Sequence, residues 1–309
     1  MIPFIVKRVI SLILLLLAVS VITFILTQLA AGDTATVLLR SGGITPSAEA
    51  AALLRMELGL DKPLVLQYAD WLGKVIQGDL GQSFRSKQPV LTELMQRFPA
   101  TLQLSLGAMA ILLAITLPVG IFSAMHPHSR MNRVGKLISF TSVSIPSFWL
   151  GLVLLYLFGV KLKWIPVIGN GAGKQVFLPA LTLALSYIGP HIRLLSMSMA
   201  EVLGKPYIKA ARARGLSEYL VIGKHALNNA ILPLITRLGM TLGSLLAGSF
   251  IVEAIFSWPG IGKYALDAIA VKDFPVIQGY VLLMAVVIVS INLLVDLLYF
   301  YIDPRIKLQ

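Results

Sequence analysis

Long apolar runs separated by short polar segments constrain this chain more than any other feature of its sequence. The first run, Val9–Leu29, follows the basic pair Lys7 and Arg8. A helix needs about 20 apolar residues to cross a bilayer core, whereas the apolar part of a secretory signal peptide has about 7 to 15. The first run therefore predicts a retained transmembrane helix.

Five further runs have the length of membrane spans. The composition agrees, because 57% of the residues are hydrophobic and only 13% are charged. Together the runs predict an all-α integral membrane protein with six transmembrane helices. The predicted spans after the first are Ala100–Met125, Leu137–Val160, Val176–Met199, Leu234–Phe256 and Val276–Ile302.

The basic residues set the predicted orientation. A formal net charge of +12 could indicate a nucleic-acid partner, but the basic residues are scattered over short loops and form no stripe. The segments predicted to be cytoplasmic hold twelve Lys and Arg, and the short outside loops hold five. The positive-inside rule then places both termini in the cytoplasm. Residues 1–29 form the first span, and residues 30–99 form an extracytoplasmic segment of ordinary soluble composition.

No pattern in the sequence predicts catalysis by this chain. Cysteine is absent, which excludes disulfides and thiolate chemistry. The segment Gly169–Lys174, GNGAGK, lacks the second glycine and the hydroxyl residue that a phosphate loop requires. His126 and His128 flank Pro127 in a loop and are more typical of a solvated segment than of a metal site. No nucleophile is paired with a base.

Polar residues inside the predicted spans are candidates for a substrate pathway, because ionisable groups within a membrane are costly and often functional. His191 and Arg193 lie in the fourth span, Glu253 lies in the fifth, and Asn292 and Asp296 are four residues apart in the sixth. The alternative is a structural role, in which the carboxylates pair with arginines or lie at the interface. The sequence identifies no metal ligands.

The longest polar interruption in the second half of the chain is Lys205–Pro233. Pro206 and Gly215 predict the start and the end of one short helix. Ser217 predicts the N-cap of a second helix that runs to about Asn229. Two short helices rich in alanine, on the cytoplasmic side, are typical of a docking surface.

This segment resembles the EAA loop of binding-protein-dependent ABC import permeases. The similarity rests on YIKAARARG (Tyr207–Gly215) followed by NNAILP (Asn228–Pro233). Lys209 stands where the family has the glutamate of the motif, a departure similar to the nickel, dipeptide and oligopeptide branch. Further similar segments are GLDKPLVLQY (Gly59–Tyr68), GDLGQSF (Gly78–Phe84), IFSWPGIGKYALDAI (Ile255–Ile269), DFPVIQGY (Asp273–Tyr280) and DPRI (Asp303–Ile306).

The resemblance implies a type I ABC importer permease in the bacterial cytoplasmic (inner) membrane. Residues 100–309 would be its core permease domain, with residues 205–233 as the ATPase-coupling loop. The implied partners are a second homologous permease, two cytoplasmic ATPases that use ATP and Mg²⁺, and an extracytoplasmic substrate-binding protein. This chain would bind no cofactor and would not be an enzyme. The implied coupling residues are Lys209, Ala210, Ala211, Arg212, Ala213, Gly215 and Pro233.

The resemblance also bears on the cargo. The outer segment is more similar to the nickel-type permease than to the dipeptide or glutathione types, so nickel, as the ion or as a chelate, is the expected cargo. Di- or oligopeptides, including glutathione-like peptides, are the alternative, and a non-transporting membrane scaffold is a remote one. The segments that carry this comparison are Ala30–Arg40, Ile44–Ala50, Lys87–Leu91 and Pro99–Leu104.

Overall fold

The computed structural model of the protein describes residues 2–31, 36, 39, 47–57, 61–164 and 173–302. The start of the GNGAGK segment and the whole DPRI motif lie outside these residues. The described residues form two compact units. Unit 1 takes its residues from Met1–Ala100 and Pro259–Leu293, and unit 2 from Thr101–Trp258 and Leu294–Arg305.

The described secondary structure is helical, and its only β feature is an isolated bridge between Gln82 and Pro89. Two π-helical segments, Leu155–Lys161 and Val221–Ala226, and one 3₁₀ turn, Gly173–Val176, accompany the α-helices. In chain order the α-helices are α1 Ile2–Ala31, α2 Ala48–Glu57, α3 Leu64–Ile76, α4 Val90–Met125, α5 Arg130–Ser144, α6 Ser147–Leu154, α7 Phe177–Leu203, α8 Pro206–Ala213, α9 Glu218–Leu220, α10 Leu227–Ala230, α11 Leu232–Ile255, α12 Ile261–Val271 and α13 Phe274–Ile302.

The predicted all-α membrane architecture is confirmed. Four described helical segments are long and apolar enough to cross a bilayer, namely Ile10–Leu29, Val90–Met125, Leu232–Ile255 and Phe274–Val295. These segments correspond to the predicted first, second, fifth and sixth spans. The predicted fourth span corresponds to α7, which has 27 residues and is about 40 Å long at 1.5 Å per residue.

The predicted third span, Leu137–Val160, is divided into two helices at Pro146. Helix α5 ends at Ser144, and Pro146 is the extended N-cap of α6, with φ −60° and ψ 135°. Proline lacks the N–H that an internal helical turn requires and disfavours helical geometry at the preceding residue. The span is therefore divided between α5 and the shorter α6, which continues as the π-helical segment.

In unit 1, helix α3 packs on the outer part of α1 through aromatic rings. The ring centroid of Phe24 lies 5.4 Å from that of Tyr68 and 5.6 Å from that of Trp71. The Ser20 hydroxyl is 2.8 Å from the Tyr68 hydroxyl. These contacts place part of the segment that is predicted to be extracytoplasmic against the first span.

In unit 2, helix α7 is the central element, and α5, α6 and α11 pack on it. Gly189 allows α5 to approach closely, because an added Cβ would overlap the Ser142 hydroxyl and lie 2.5 Å from the Ser139 Cα. The Ser139 hydroxyl donates to the Gly189 carbonyl over 3.0 Å. A glycine in α7 therefore fixes the crossing of these two helices.

Candidate functional site

The polar interruption after α7 forms two short helical segments, as its sequence predicts. Lys205 is extended, with φ −69° and ψ 148°, and Pro206 begins α8 with the backbone angle that a first helical turn requires. Gly215 has φ +79°, a left-handed conformation that glycine adopts without strain. The first helix thus begins and ends at the residues that the sequence indicates.

The second segment begins after Ser217, but it is less regular than the single helix predicted. Ser217 has extended N-cap geometry, with ψ 145°, yet its side chain makes no capping hydrogen bond. Helix α9 is followed by the π-helical Val221–Ala226 and then by α10, which ends at Ala230. These three parts follow one another without a break in sequence, so the predicted second helix exists as one helical segment with a π-helical middle.

One face of this segment belongs to the core of its own chain. Ile208 is fully buried, and Ala211 is only 8% exposed. They pack in a cluster with side chains from the end of α7 and from the second segment. The other buried members of this cytoplasmic cluster are Leu195, Met199, Val221, Ala226, Ala230 and Leu234.

The opposite face is exposed and holds most of the residues that the resemblance assigns to coupling. Tyr219 is 85% exposed, and Tyr207 and Leu220 are also open. Ala211 is different, because it contacts the cytoplasmic cluster and is not available to a partner. The exposed members of the predicted coupling set are Lys209, Ala210, Arg212, Ala213, Gly215 and Pro233.

A bidentate ion pair ties α8 to the next segment. The Arg212 Nε donates to Glu218 Oε1 over 2.7 Å, and the Nη2 donates to Oε2 over 3.2 Å. This pairing lowers the pKa of the Glu218 carboxyl and raises the pKa of the Arg212 guanidinium. The Asn229 amide adds a second link by donating to the Tyr207 hydroxyl over 3.2 Å. The exposed face is thus held in a defined shape.

The structure places His191 in the interior of unit 2, where it is 1% exposed. Its Nδ1 is 2.7 Å from the Tyr187 carbonyl, and its Nε2 is 3.1 Å from the Thr241 hydroxyl. Both ring nitrogens therefore have partners, and the ring connects α7 with α11.

Glu253 is also fully buried. Its Oε1 accepts hydrogen bonds from the Thr101 hydroxyl over 2.7 Å and from the Ser249 hydroxyl over 2.9 Å. These bonds give the carboxylate a structural explanation, since they join α11 to α4. Of the other predicted pathway residues, Arg193 and Asn292 are exposed, and the side chain of Asp296 lies outside the described part of the chain.

Unit 1 contains a polar network that the sequence did not reveal. The Ser83 hydroxyl donates to Asp273 over 2.6 Å, although 190 residues separate them. Glu93 accepts from the Ser86 hydroxyl over 2.6 Å and from the Tyr264 hydroxyl over 2.5 Å. Burial, together with the Glu93 carboxylate, raises the pKa of the Tyr264 hydroxyl. The network joins motif segments that are distant in sequence.

The pattern that could have indicated this network is the set of polar residues within otherwise apolar motifs. Ser83 belongs to GDLGQSF, Tyr264 to IFSWPGIGKYALDAI and Asp273 to DFPVIQGY. Their pairing depends on the tertiary fold. Within the described ranges, no three His, Asp or Glu side chains come together in a group that could hold a metal ion.

Comparison with known proteins covers nearly the whole chain. Residues 116–308 match the family described as binding-protein-dependent transport system inner membrane component, and residues 1–107 match the corresponding N-terminal family. The glutathione transport system permease protein GsiC of Salmonella typhi is 38% identical over 307 residues, which cover 99% of both chains. GsiC of Escherichia coli (strain K12) is 36% identical over the same share.

A solved structure has a similar fold. A crystal form of the MetNI methionine ABC transporter in an inward-facing conformation matches with a TM-score of 0.56. The match covers 68% of this chain and 96% of that chain, with 19% sequence identity. At this identity the similarity concerns the fold alone.

Proposed function

This chain belongs to the family of binding-protein-dependent inner membrane transport components, and from that premise we propose that it carries short peptides, glutathione-like peptides included. As a member of that family it is a permease subunit of an ABC importer in the inner membrane. The observation that carries the cargo proposal is the 38% identity to glutathione permeases over 99% of both chains. The alternative cargo of the sequence analysis thereby replaces nickel as the favoured one.

Nickel was favoured on short segments of the outer region alone. The similarity to the glutathione permeases extends over all of the spans as well, and it therefore weighs more. The structure adds a chemical reason. Because both ring nitrogens of His191 are hydrogen-bonded, the one histidine among the candidate pathway residues has no free lone pair for Ni²⁺.

The proposed coupling surface is the exposed face of residues 206–230. It combines open aromatic side chains with small residues at Ala210 and Ala213, which permit a partner's close approach. A cytoplasmic ATPase that uses ATP and Mg²⁺ would dock here. The proposed complex also contains a second, homologous permease, a second ATPase and an extracytoplasmic binding protein. Hydrolysis would occur on the ATPases, and this chain would respond by a rigid-body switch between inward and outward access.

Uptake measurements test the cargo. Cells that lack this gene are compared with cells complemented by the wild-type gene, using labelled glutathione, a labelled dipeptide and radioactive nickel. We expect complementation to restore peptide uptake and to leave nickel uptake unchanged. Restoration of nickel uptake alone would refute the peptide proposal, and unchanged uptake of all three would favour the scaffold alternative.

A matched pair of substitutions tests the coupling surface. Ala213→Glu places a carboxylate on the exposed face of α8, and Ala270→Glu places one on an exposed position of α12. We expect only Ala213→Glu to reduce co-purification of the ATPases and ATP-driven uptake, because it adds bulk and charge to the proposed contact. Equal behaviour of the two variants would contradict the assignment.

A further inference from the structure

Unit 2 contains a cavity of about 530 Å³ between the end of α4 and helices α5 and α7. This volume lies within the range of about 300 to 1,000 Å³ that is typical of small-molecule sites. Among the described side chains, its polar lining consists of one arginine, one asparagine and four serines. These residues are Arg193, Asn132, Ser123, Ser139, Ser144 and Ser196.

The wall of the cavity is fixed by the packing of α5 on α7. Gly189 permits the close approach, and the Ser139 hydroxyl holds the two helices together by donating to its carbonyl. Pro190 follows in α7 and also lines the cavity. Because proline has no N–H, it interrupts the hydrogen bonding of α7 beside the cavity. The cavity is therefore bordered by a defined helix crossing and does not depend on a loop.

Arg193 is the only charged residue that lines the cavity among the side chains that the structure describes. It precedes the end of α7 at Leu203 by ten residues, or about 15 Å at 1.5 Å per residue. Among the described residues the guanidinium has neither a hydrogen bond nor an ion pair. A cation within a predicted membrane span requires water or an anion to solvate it.

A second polar group in the cavity also lacks a partner. The Ser123 hydroxyl is buried, and within the described part of the chain it makes no hydrogen bond. A buried hydroxyl without a partner is destabilising unless a ligand or water satisfies it. Ser123 lies on α4 and Arg193 on α7, so two helices offer unsatisfied donors to one space.

We propose that this cavity binds a carboxylate of the transported peptide, with Arg193 as the bidentate donor and Ser123 as an additional hydroxyl donor. The inference rests on the proposed function and specifies the chemical class that the pathway recognises. A guanidinium matches a carboxylate in geometry and charge. No carboxylate of the described side chains lines the cavity to compete for it. The same arrangement repels a bare divalent cation.

The test uses the complete importer in proteoliposomes, supplied with saturating amounts of its loaded binding protein. Uptake of a dipeptide is compared with uptake of the same dipeptide amidated at its C-terminus, at concentrations that saturate the binding protein with each. We expect wild-type importer to transport the free acid faster than the amide. Arg193→Gln should lower uptake of the acid about tenfold to a hundredfold, the effect of losing a charge-assisted hydrogen bond, and should abolish the preference.

Two further variants control for assembly. Arg133→Gln removes an exposed arginine of α5 that does not line the cavity, and it should transport both peptides as wild type does. Arg193→Lys keeps the charge but loses the fork geometry, so its uptake should lie between wild type and Arg193→Gln. Each importer is checked by size-exclusion chromatography and by ATP hydrolysis without peptide, neither of which should change.

The headgroup of a lipid with a net negative charge is the other anion that could occupy the cavity. Vesicles of phosphatidylcholine alone are therefore compared with vesicles that also contain phosphatidylglycerol. A transport defect of Arg193→Gln that occurs only in vesicles with phosphatidylglycerol would overturn the proposal. Failure of the importer to assemble when it carries Arg193→Lys would also overturn it. Equal uptake by wild type and Arg193→Gln would overturn it too, whereas absence of peptide uptake by the wild type would instead refute the proposed function.

Discussion

Ala211 and Ala210 are neighbours in the predicted coupling helix, but only Ala211 is buried in the core of its own chain. Ala211 is 8% exposed and packs in the cytoplasmic cluster, whereas the adjacent Ala210 is exposed. Ala211→Glu forces a larger side chain and a carboxylate into a packed interior. We expect a cost of about 3 to 5 kcal/mol for the unpaired buried charge. Ala210→Glu places the same side chain in water and should change stability by less than about 0.5 kcal/mol.

Chymotrypsin cleavage after Tyr219 measures this difference. Tyr219 is 85% exposed, but cleavage requires local opening of the surrounding helical segments, so its rate follows the open population. A loss of about 3 kcal/mol raises that population about a hundredfold, at 1.4 kcal/mol per factor of ten. Inside-out vesicles expose the segment to the protease.

The result that would refute this reasoning is equal cleavage of the Ala210→Glu and Ala211→Glu proteins. It would mean that Ala211 does not pack in the cytoplasmic cluster. The comparison of the two variants also distinguishes loss of folding from loss of coupling. Loss of transport in Ala211→Glu, accompanied by fast cleavage, reports unfolding of the segment, whereas loss of transport in Ala210→Glu with wild-type cleavage reports the docking face.

Three other perturbations have defined outcomes. Gly189→Ala should separate α5 from α7 and reduce transport, whereas Gly73→Ala in α3, where an added Cβ meets nothing within 4 Å, should leave transport unchanged. Uptake and thermal unfolding of both proteins check this. Glu253→Leu should lower the melting temperature more than Glu253→Gln, because it removes the carboxylate that accepts from the buried Thr101 and Ser249 hydroxyls. Equal shifts would contradict the buried network. The pKa of the Glu218 carboxyl is lowered, so its bond to Arg212 stabilises the segment at pH values above the ordinary glutamate pKa and is lost as the pH falls through the lowered pKa. Hydrogen exchange of the backbone near Tyr219 should therefore accelerate in acid in the wild type. Glu218→Gln should remove that pH dependence.

The sequence predicts the membrane architecture well because burial in a bilayer imposes a length and a composition on each span. Helix α11 begins at Leu232, two residues before the predicted fifth span, and α13 begins at Phe274, two before the sixth. The third span is divided at Pro146, because proline lacks the backbone donor that an internal helical turn requires. The apolar run continues through this position, but the helix does not.

The orientation of individual residues was less predictable. A short helix with alanines at three of its positions does not reveal which of them faces the core, and the burial of Ala211 depends on Leu195 and Met199 from another helix. The bond between Ser83 and Asp273 joins residues 190 positions apart. Such contacts follow from tertiary packing, which local periodicity does not encode.

The two proposed sites share helix α7. Its last turns supply Leu195 and Met199, both fully buried, to the cytoplasmic cluster that holds Ile208 of α8. Arg193 lies two residues before Leu195 on the same helix and lines the cavity. Packed interiors transmit displacement because their side chains have little free volume. A partner that moves α8 must therefore move the end of α7 or break the cluster, and a movement of α7 changes the position of Arg193 relative to Ser123 on α4. The same packing that buries Ala211 thus connects the proposed ATPase contact to the proposed carboxylate site.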